Sequence, residues 1–196
     1  SLANSRCTGS FKNHVTLLTQ NEIIQGCKKG DEGAYRFLVD AYADQLMGIC
    51  VRYLRDYQKA EDSVQETFIQ VFKSIHTFDG QGSLPGWMCK IAVNCCLKEL
   101  RKSKRLSFTE EDTVFDQLVE WPQVYDKLNA EDIMTLLDTL PQHYRIIFNL
   151  SIIEGYSHKE ISEILGIQES HSRTKLARAK KMIQELYLVN YKKSIV

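Results

Sequence analysis

Apolar residues recur every three or four positions along most of the chain, which is the spacing of an amphipathic helix. In the first half this spacing predicts helices over 20–29 and 31–54, followed by one with an apolar face over 60–75. A fourth helix follows Ser83, which suits an N-cap, with Pro85 in its first turn. No alternation of apolar and polar residues stands out as a strand. We therefore predict an all-α fold.

A helix-turn-helix pattern lies towards the C-terminal end of the chain. Ser157 and Glu160 fit a capping box that opens a short helix, and Gly166 suits the left-handed residue that ends it. A second helix begins near Glu169, with Leu176, Ala179 and Ile183 facing inward. Its polar face carries Arg173, Lys175, Arg178, Lys180 and Lys181. This plan is typical of proteins that place the second helix in the major groove of DNA, and the alternative is a helical hairpin with a solvated basic face.

The charges are balanced overall but unevenly distributed. The 196 residues carry 25 basic and 25 acidic side chains, so the net charge is zero. Residues 1–105 have a net charge of +4, residues 106–126 of −6 and residues 127–196 of +2. Such segregation is compatible with nucleic-acid binding. The length allows one large domain or two small ones, and the acidic segment (106–126) is interpreted as a linker.

Cysteine and histidine do not form a recognisable metal or catalytic pattern. None of the six cysteines forms a CxxC pair, and the five histidines are scattered. We therefore expect core thiols in a reducing cytoplasm, no metal, no cofactor and no enzymatic activity. The alternative is a redox or metal site, for which Cys89, Cys95 and Cys96 are the only cluster worth testing. No apolar run is long enough to span a bilayer and no signal peptide opens the chain, which argues against direct membrane insertion.

Two further polar faces are predicted in the first half. In the 60–75 helix, Asp62, Gln65, Glu66 and Ile69 fall close together by their spacing of three and four. A glycine loop over 78–83 then precedes a helix with one aromatic and several basic residues. Bases stack on aromatic rings while phosphates contact Lys and Arg, so this combination suits an unstacked single strand. For Trp87 the alternative is a simple core position.

Several stretches resemble a known family. AEDSVQETF, FDGQGSLPGWMCKIAVN and LRKSKR resemble region 2 of the extracytoplasmic-function (ECF) sigma factors of the sigma-70 family. TLPQHYRIIFNLSIIEGYSHKEISEILGIQESHSRTKLARAKKMI is similar to their region 4. The resemblance covers about 20–186 and implies a dissociable subunit of bacterial RNA polymerase. It further implies a four-helix domain for the −10 promoter element at 20–105 and a second helical domain for the −35 element at 127–196. These follow an N-terminal tail (1–19) and are joined by the acidic linker (106–126).

The resemblance also implies which residues bind. For core polymerase, at the β′ clamp helices, these are Arg52, Arg55, Asp62, Gln65, Glu66 and Ile69. For the −10 element they are Asp79, Gly80, Gln81, Ser83, Trp87, Lys90, Asn94, Lys98 and Arg101. For the −35 element they are Ser170, His171, Arg173, Thr174, Lys175, Arg178 and Lys181. Within the last set, Arg178 and Arg173 suit base edges, because an arginine can bond both acceptors of guanine, and the lysines suit phosphates.

The resemblance implies three partners. Core RNA polymerase would bind through its β′ clamp helices and β flap. The others are promoter DNA and an anti-sigma factor, which is often anchored in the inner membrane. Many relatives have Gly-Thr-Val where this chain has Ser170, His171 and Ser172, which bears on the −35 sequence. They also favour Ala at Ser162 and Trp at Phe72. A further hypothesis is that the acidic linker, through Glu110, Glu111 and Asp112, lies against a basic DNA-binding face.

Three other functions remain open at this point. A helix-turn-helix transcriptional regulator would bind DNA without acting as a polymerase subunit. A response regulator would need a receiver domain, and the first half shows no βα alternation to make one. A small helical enzyme would need clustered ligands or a nucleophile–base pair.

Overall fold

The computed structural model describes residues 20–80, 82–103, 106 and 130–191. Within them the only regular secondary structure is helical, and the predicted all-α fold is confirmed. The α-helices are α1 (Gln20–Lys28), α2 (Glu32–Leu54), α3 (Tyr57–Ser74), α4 (Leu84–Lys102), α5 (Ala130–Thr139), α6 (Gln142–Phe148), α7 (His158–Leu165) and α8 (Glu169–Tyr191). A 3₁₀ turn spans Ile75–Thr77 and a π-helical segment spans Asn149–Ile153.

The chain divides into two compact units, Ser1–Arg105 and Leu106–Val196. The tail over 1–19 and, apart from Leu106, the acidic linker lie outside the described residues. The hypothesis that Glu110, Glu111 and Asp112 cover a basic face therefore falls outside them as well.

In the first unit, α2, α3 and α4 pack against one another and α1 packs on α2. Acidic and hydroxyl caps begin each of the three longer helices. The Asp31 side chain accepts a hydrogen bond from the Ala34 backbone, Asp56 does so from Lys59, and Ser83 does so from Gly86. The core between them holds Leu38, Leu46, Cys50, Tyr53, Val71, Met88, Ala92 and Leu97.

In the second unit, α5, α6 and α7 all pack on α8. Its apolar core includes Leu136, Ile146, Ile147, Phe148, Leu150, Ile161, Ala179 and Ile183. It also buries four polar side chains, Arg145, Asn149, Ser172 and Lys175. Both side-chain polar atoms of Asn149 lack a hydrogen-bond partner within the described part of the chain.

The five cysteines among the described residues lie in or beside the core of the first unit, as the sequence predicts for most of them. Cys27, Cys50, Cys89 and Cys96 are buried and Cys95 is half-buried. The hydrogen bond to Cys50, together with burial, raises the pKa of the Cys96 thiol, and burial raises the pKa of Cys95. Such thiols are poorly reactive because the thiolate is the nucleophile. Among the described residues there is no group of three potential metal ligands and no helix able to cross a membrane.

Candidate nucleic-acid interfaces

A polar and basic stripe runs along the outer face of α4. Lys90, Asn94, Lys98 and Arg101 are all exposed, and their spacing of three and four places them on one side of the helix. The opposite side carries the buried Met88, Ala92, Cys96 and Leu100. The structure therefore brings these four predicted −10 residues together on one surface.

The glycine loop leads directly into this stripe. Asp79, Gly80, Gly82 and Ser83 are exposed, whereas Gln81 lies outside the described residues. Gly80 and Gly82 have φ values of 81° and 86°, which is backbone that side-chain-bearing residues rarely adopt. A Cβ added at either glycine would meet open space, so what requires glycine here is its backbone conformation and not a tight contact.

Trp87 stands between the loop and the basic stripe. Its ring is half-buried and lies 5.4 Å from the buried ring of Phe78, at an interplanar angle of 46°. The tryptophan is thus neither a fully buried core residue nor a freely projecting one. Part of its surface is available for a base, and Phe78 supports the other side.

The predicted polymerase-binding residues lie around the end of α2 and along α3. Asp62, Gln65 and Ile69 are exposed, Ile69 to 45%, and Glu66 is half-buried and accepts a 2.7 Å hydrogen bond from Gln70. Arg55 is exposed and Arg52 is half-buried, 6.0 Å from the centre of the Tyr53 ring. On α3 the opposite face buries Ala60, Phe68 and Val71. The outer face of α3 thus presents an acidic and partly apolar surface.

The helix-turn-helix forms as the sequence predicts. Ser157 and Glu160 make a reciprocal capping box, in which the Glu160 backbone donates to the serine hydroxyl over 3.2 Å and the carboxylate accepts from the Ser157 backbone over 2.8 Å. Gly166 ends α7 with φ 68°, and its N–H donates to the Ser162 carbonyl over 2.9 Å. The second helix begins at Glu169, as predicted.

Most of the predicted −35 residues lie on the outward side of α8. Ser170, Arg173 and Lys181 are exposed, and His171, Thr174 and Arg178 are half-exposed. Their spacing forms one stripe along the first three turns. Arg173 forms an ion pair with Glu169 one turn earlier. Because this pair is largely exposed, it contributes little stability and can open or tilt when DNA approaches.

Lys175 is a correction to the sequence analysis, which placed it on the basic face. Its side chain is only 2% exposed, and its ammonium lies 5.9 Å from the centre of the Tyr144 ring on α6. It shares the inward stripe of Ser172, Leu176 and Ala179 by spacing. A lysine in this position cannot contact a phosphate without leaving the core, and its cation is stabilised by the aromatic face.

A polar contact between α7 and α8 was not predicted from the sequence. The His158 ring nitrogen Nδ1 and the hydroxyl of the fully buried Ser172 share a 2.9 Å hydrogen bond. Burial, followed by the positive charge of Arg173, lowers the pKa of His158. A serine fourteen residues after a histidine has no characteristic pattern, so only the packed structure reveals this pair.

Two family descriptions match separate parts of the chain. "Sigma-70 region 2" matches residues 38–106, which include the α3 face, the glycine loop and α4. "Sigma-70, region 4" matches residues 130–183, which include the helix-turn-helix.

Whole relatives are similar across most of their length. The chain is 30% identical over 179 residues to the ECF RNA polymerase sigma factor SigW of Bacillus subtilis, covering 83% of this chain and 93% of that protein. It is 28% identical over 184 residues to the ECF RNA polymerase sigma-E factor of Haemophilus influenzae, covering 85% and 94%. The solved structure of the sigma factor RpoE with the anti-sigma factor NepR from Bartonella quintana has a TM-score of 0.51 at 20% identity, covering 80% of this chain and 98% of that one. At this identity, the comparison with the solved structure shows a similarity of fold alone.

Proposed function

This chain belongs to the ECF RNA polymerase sigma factors of the sigma-70 family, and we propose how its two units divide the work of promoter recognition. As a sigma factor it directs core RNA polymerase to promoters and helps to open the −10 region. The first unit binds the polymerase and the −10 element, and the second binds the −35 element. The observation that carries this division is that each unit has its own exposed polar stripe, on α4 and on α8.

The first unit uses two faces for two partners. The acidic and partly apolar face of α3, with Arg52 and Arg55 beside it, binds the β′ clamp helices of the polymerase. The basic stripe of α4 holds the phosphates of the opened −10 strand. Because the α3 face is acidic, it repels the phosphates that the α4 stripe attracts. A regulator that bound DNA by its helix-turn-helix alone would have no use for this arrangement.

The loop over 79–83 captures a base that has left the stack of the −10 element. Its glycines allow a backbone shape that leaves the loop exposed beside the Trp87 ring. Unstacked bases bind aromatic surfaces with little sequence preference, so any specificity comes from polar groups around the ring. Asp79, Ser83, Lys90 and Asn94 supply such groups.

The second unit places the outward stripe of α8 in the major groove at the −35 element. Arg178 and Arg173 contact base edges, His171 and Thr174 contribute secondary base contacts, and Lys181 contacts phosphate. Lys175 is removed from this set because it is buried. Glu169 holds Arg173 from the side and limits the directions in which its guanidinium can extend.

A promoter-library selection with purified core polymerase tests the function and the placement together. We expect the full chain to enrich one bipartite promoter. Arg178→Ala should relax the preference at one or two neighbouring −35 positions, since a bidentate contact contributes about 1–3 kcal/mol of discrimination. Lys181→Ala is the matched control, on the same helix and also basic, and should weaken all sequences about equally.

Two results would contradict the proposal. Failure of the folded chain to enrich any promoter with core polymerase would remove the sigma assignment for these units. Equal and sequence-independent losses from Arg178→Ala and Lys181→Ala would show that α8 presents another face to the groove.

Regulation and location follow from the same role. We infer that an anti-sigma factor binds this protein and holds it inactive; the RpoE sigma factor of Bartonella quintana has been solved in complex with the anti-sigma factor NepR. The chain then works in the cytoplasm, where polymerase and chromosome are found. It contributes binding and strand opening, and the polymerase supplies all the catalysis.

A further inference from the structure

A hydrogen bond connects the end of α1 to the start of the glycine loop. The Lys28 ammonium donates to the backbone carbonyl of Phe78 over 3.1 Å, across fifty residues of sequence. Phe78 is the last residue before Asp79, where the exposed loop begins. The first helix therefore contacts the loop through one lysine. Helix α1 precedes residues 38–106, the part of the chain that matches sigma-70 region 2.

The packing of helix α1 holds the backbone of Lys28 in place. The inner face of the helix buries Ile23, Ile24 and Cys27. The Tyr35 hydroxyl on α2 donates to the Cys27 carbonyl over 3.0 Å, at the residue before Lys28. Gly26 allows a close approach, because a Cβ there would lie 2.8 Å from the Cβ of Ala34. The lysine thus extends from a helix that is closely packed on the rest of the unit.

Phe78 is held from three directions, and Lys28 supplies one of them. Its N–H donates to the Ile75 carbonyl over 3.2 Å and closes the 3₁₀ turn. Its buried ring packs 5.4 Å from the Trp87 ring. Its carbonyl accepts from Lys28. Rotation of the peptide plane between Phe78 and Asp79 would break this last bond, so the lysine fixes the direction in which the loop leaves the core.

We propose that Lys28 is a positioning residue for promoter opening, which holds the loop after Phe78 in the conformation that accepts the unstacked −10 base. This inference rests on the proposed role of that loop. The loop itself has two glycines at positive φ with open space around them, so its shape depends on how its ends are fixed. Ser83 fixes one end as the N-cap of α4, and Lys28 fixes the other.

Two alternative roles make different predictions. A lysine that bound phosphate directly would contribute to affinity whether or not the base is present. Its removal would lower the number of counterions released on binding, as read from the salt dependence of the affinity, by about one. A lysine that only stabilised the fold would affect all functions alike. A positioning role predicts that the effect of Lys28 disappears when the captured base is removed.

The test uses holoenzyme assembled with the full chain and a forked promoter fragment whose −10 strand is already unpaired. Equilibrium binding is measured for the intact fragment and for fragments with an abasic site at each −10 position in turn. The variants are Lys28→Met, Lys28→Arg and the control Lys29→Met. Lys29 is adjacent and exposed. Methionine keeps an unbranched side chain, one atom shorter, and removes the donor, and arginine restores a donor.

We expect Lys28→Met to bind the intact fragment about three- to tenfold more weakly, as for loss of one hydrogen bond. Lys28→Arg should recover most of this loss and Lys29→Met should match the unsubstituted chain. On the fragment that lacks the captured base, Lys28→Met and the unsubstituted chain should bind equally, with the same salt dependence.

Two different failures can be told apart. If no abasic position weakens binding by the unsubstituted chain, the loop captures no base and the proposed function of the loop fails with the inference. If one position matters but Lys28→Met matches Lys29→Met, or loses the same factor on the abasic fragment, the loop assignment stands and the role of Lys28 is overturned.

Discussion

His158 connects the two helices of the helix-turn-helix at a single residue. It is the first residue of α7, and its ring shares a hydrogen bond with Ser172, one turn into α8. Around it are the charges of Arg173 and Lys180, which oppose its protonation, and of Glu169, which favours it. Burial is the largest influence and also opposes protonation. The neutral imidazole is therefore the form that fits this position.

This environment predicts a dependence of stability on pH. The pKa of His158 is lower in the folded protein than its usual value of about 6.5, so below that pH the unfolded chain binds a proton more readily. The stabilising contribution is complete above pH 6.5 and is lost as the pH falls through the lower pKa of the folded state. In thermal unfolding of the full chain between pH 7 and 5, His158→Gln should lose less stability than the unsubstituted protein.

The variant Ser172→Ala distinguishes two influences on the pKa of His158, its burial and its hydrogen bond. It removes the shared hydrogen bond but leaves His158 beside Arg173, so the pH dependence should persist while overall stability falls. Identical pH profiles for His158→Gln and the unsubstituted chain would show that His158 does not titrate in this range.

At the scale of helices, two glycines provide a matched comparison of packing. Gly26 lies in α1, where a Cβ would be 2.8 Å from the Cβ of Ala34. Gly48 lies in α2, where a Cβ would meet nothing within 4 Å. Both positions have helical backbone, so the substitution gains helix propensity at each, though less at Gly26, which lies in the last turn of α1. The main difference between them is the space available.

Gly26→Ala and Gly48→Ala should therefore change stability in opposite directions. In urea titrations of the full chain, Gly48→Ala should raise the free energy of unfolding by about 0.5–1 kcal/mol. Gly26→Ala should lower it by about 1–2 kcal/mol, because α1 must move away from α2. A stabilising effect at both positions would mean that α1 accommodates the methyl group without cost, and that its packing on α2 is loose.

The helices and their ends follow from local sequence, because caps and glycines act within a few residues. Ser83, Ser157 and Gly166 perform the roles that their positions predict. Long-range packing does not follow in the same way. Lys175 is basic by type but lies under Tyr144, a contact across thirty-one residues of sequence. The π-helical segment at Asn149–Ile153 likewise has no sequence pattern that predicts it.

The same limit applies to the binding surfaces. Spacing of three and four is enough to align Lys90, Asn94 and Lys98, because all three lie on one helix. It cannot show that Lys28 on α1 contacts Phe78 before the loop, because that contact is set by the packing of α1 on α2. The alignment of side chains along one helix was thus easier to predict than a contact between helices.

At the scale of the whole molecule, the balanced charge of the chain conceals a division into surfaces of opposite charge. Within the first unit, acidic side chains gather on the outer face of α3 and basic ones on the outer face of α4. The acidic linker and the two basic segments beside it repeat this separation along the sequence. A sigma factor must bind a protein and a polyanion at the same time, and segregated charge keeps the two surfaces from competing.

This division predicts that reversing the charge of the α3 face disrupts polymerase binding. Asp62→Arg with Glu66→Arg places two cations where the protein presents two anions, one helical turn apart. A like-charge contact across an interface costs several kcal/mol, so affinity for core polymerase should fall at least about tenfold. The control is Asp40→Arg with Asp44→Arg on α2, which makes the same charge change at two exposed acidic positions with the same spacing. Affinity for core is measured with each labelled chain, after circular dichroism has established that both variants are folded. We expect the α2 variant to bind normally and the α3 variant to fail, and equal binding by both would exclude the outer face of α3 from the polymerase interface.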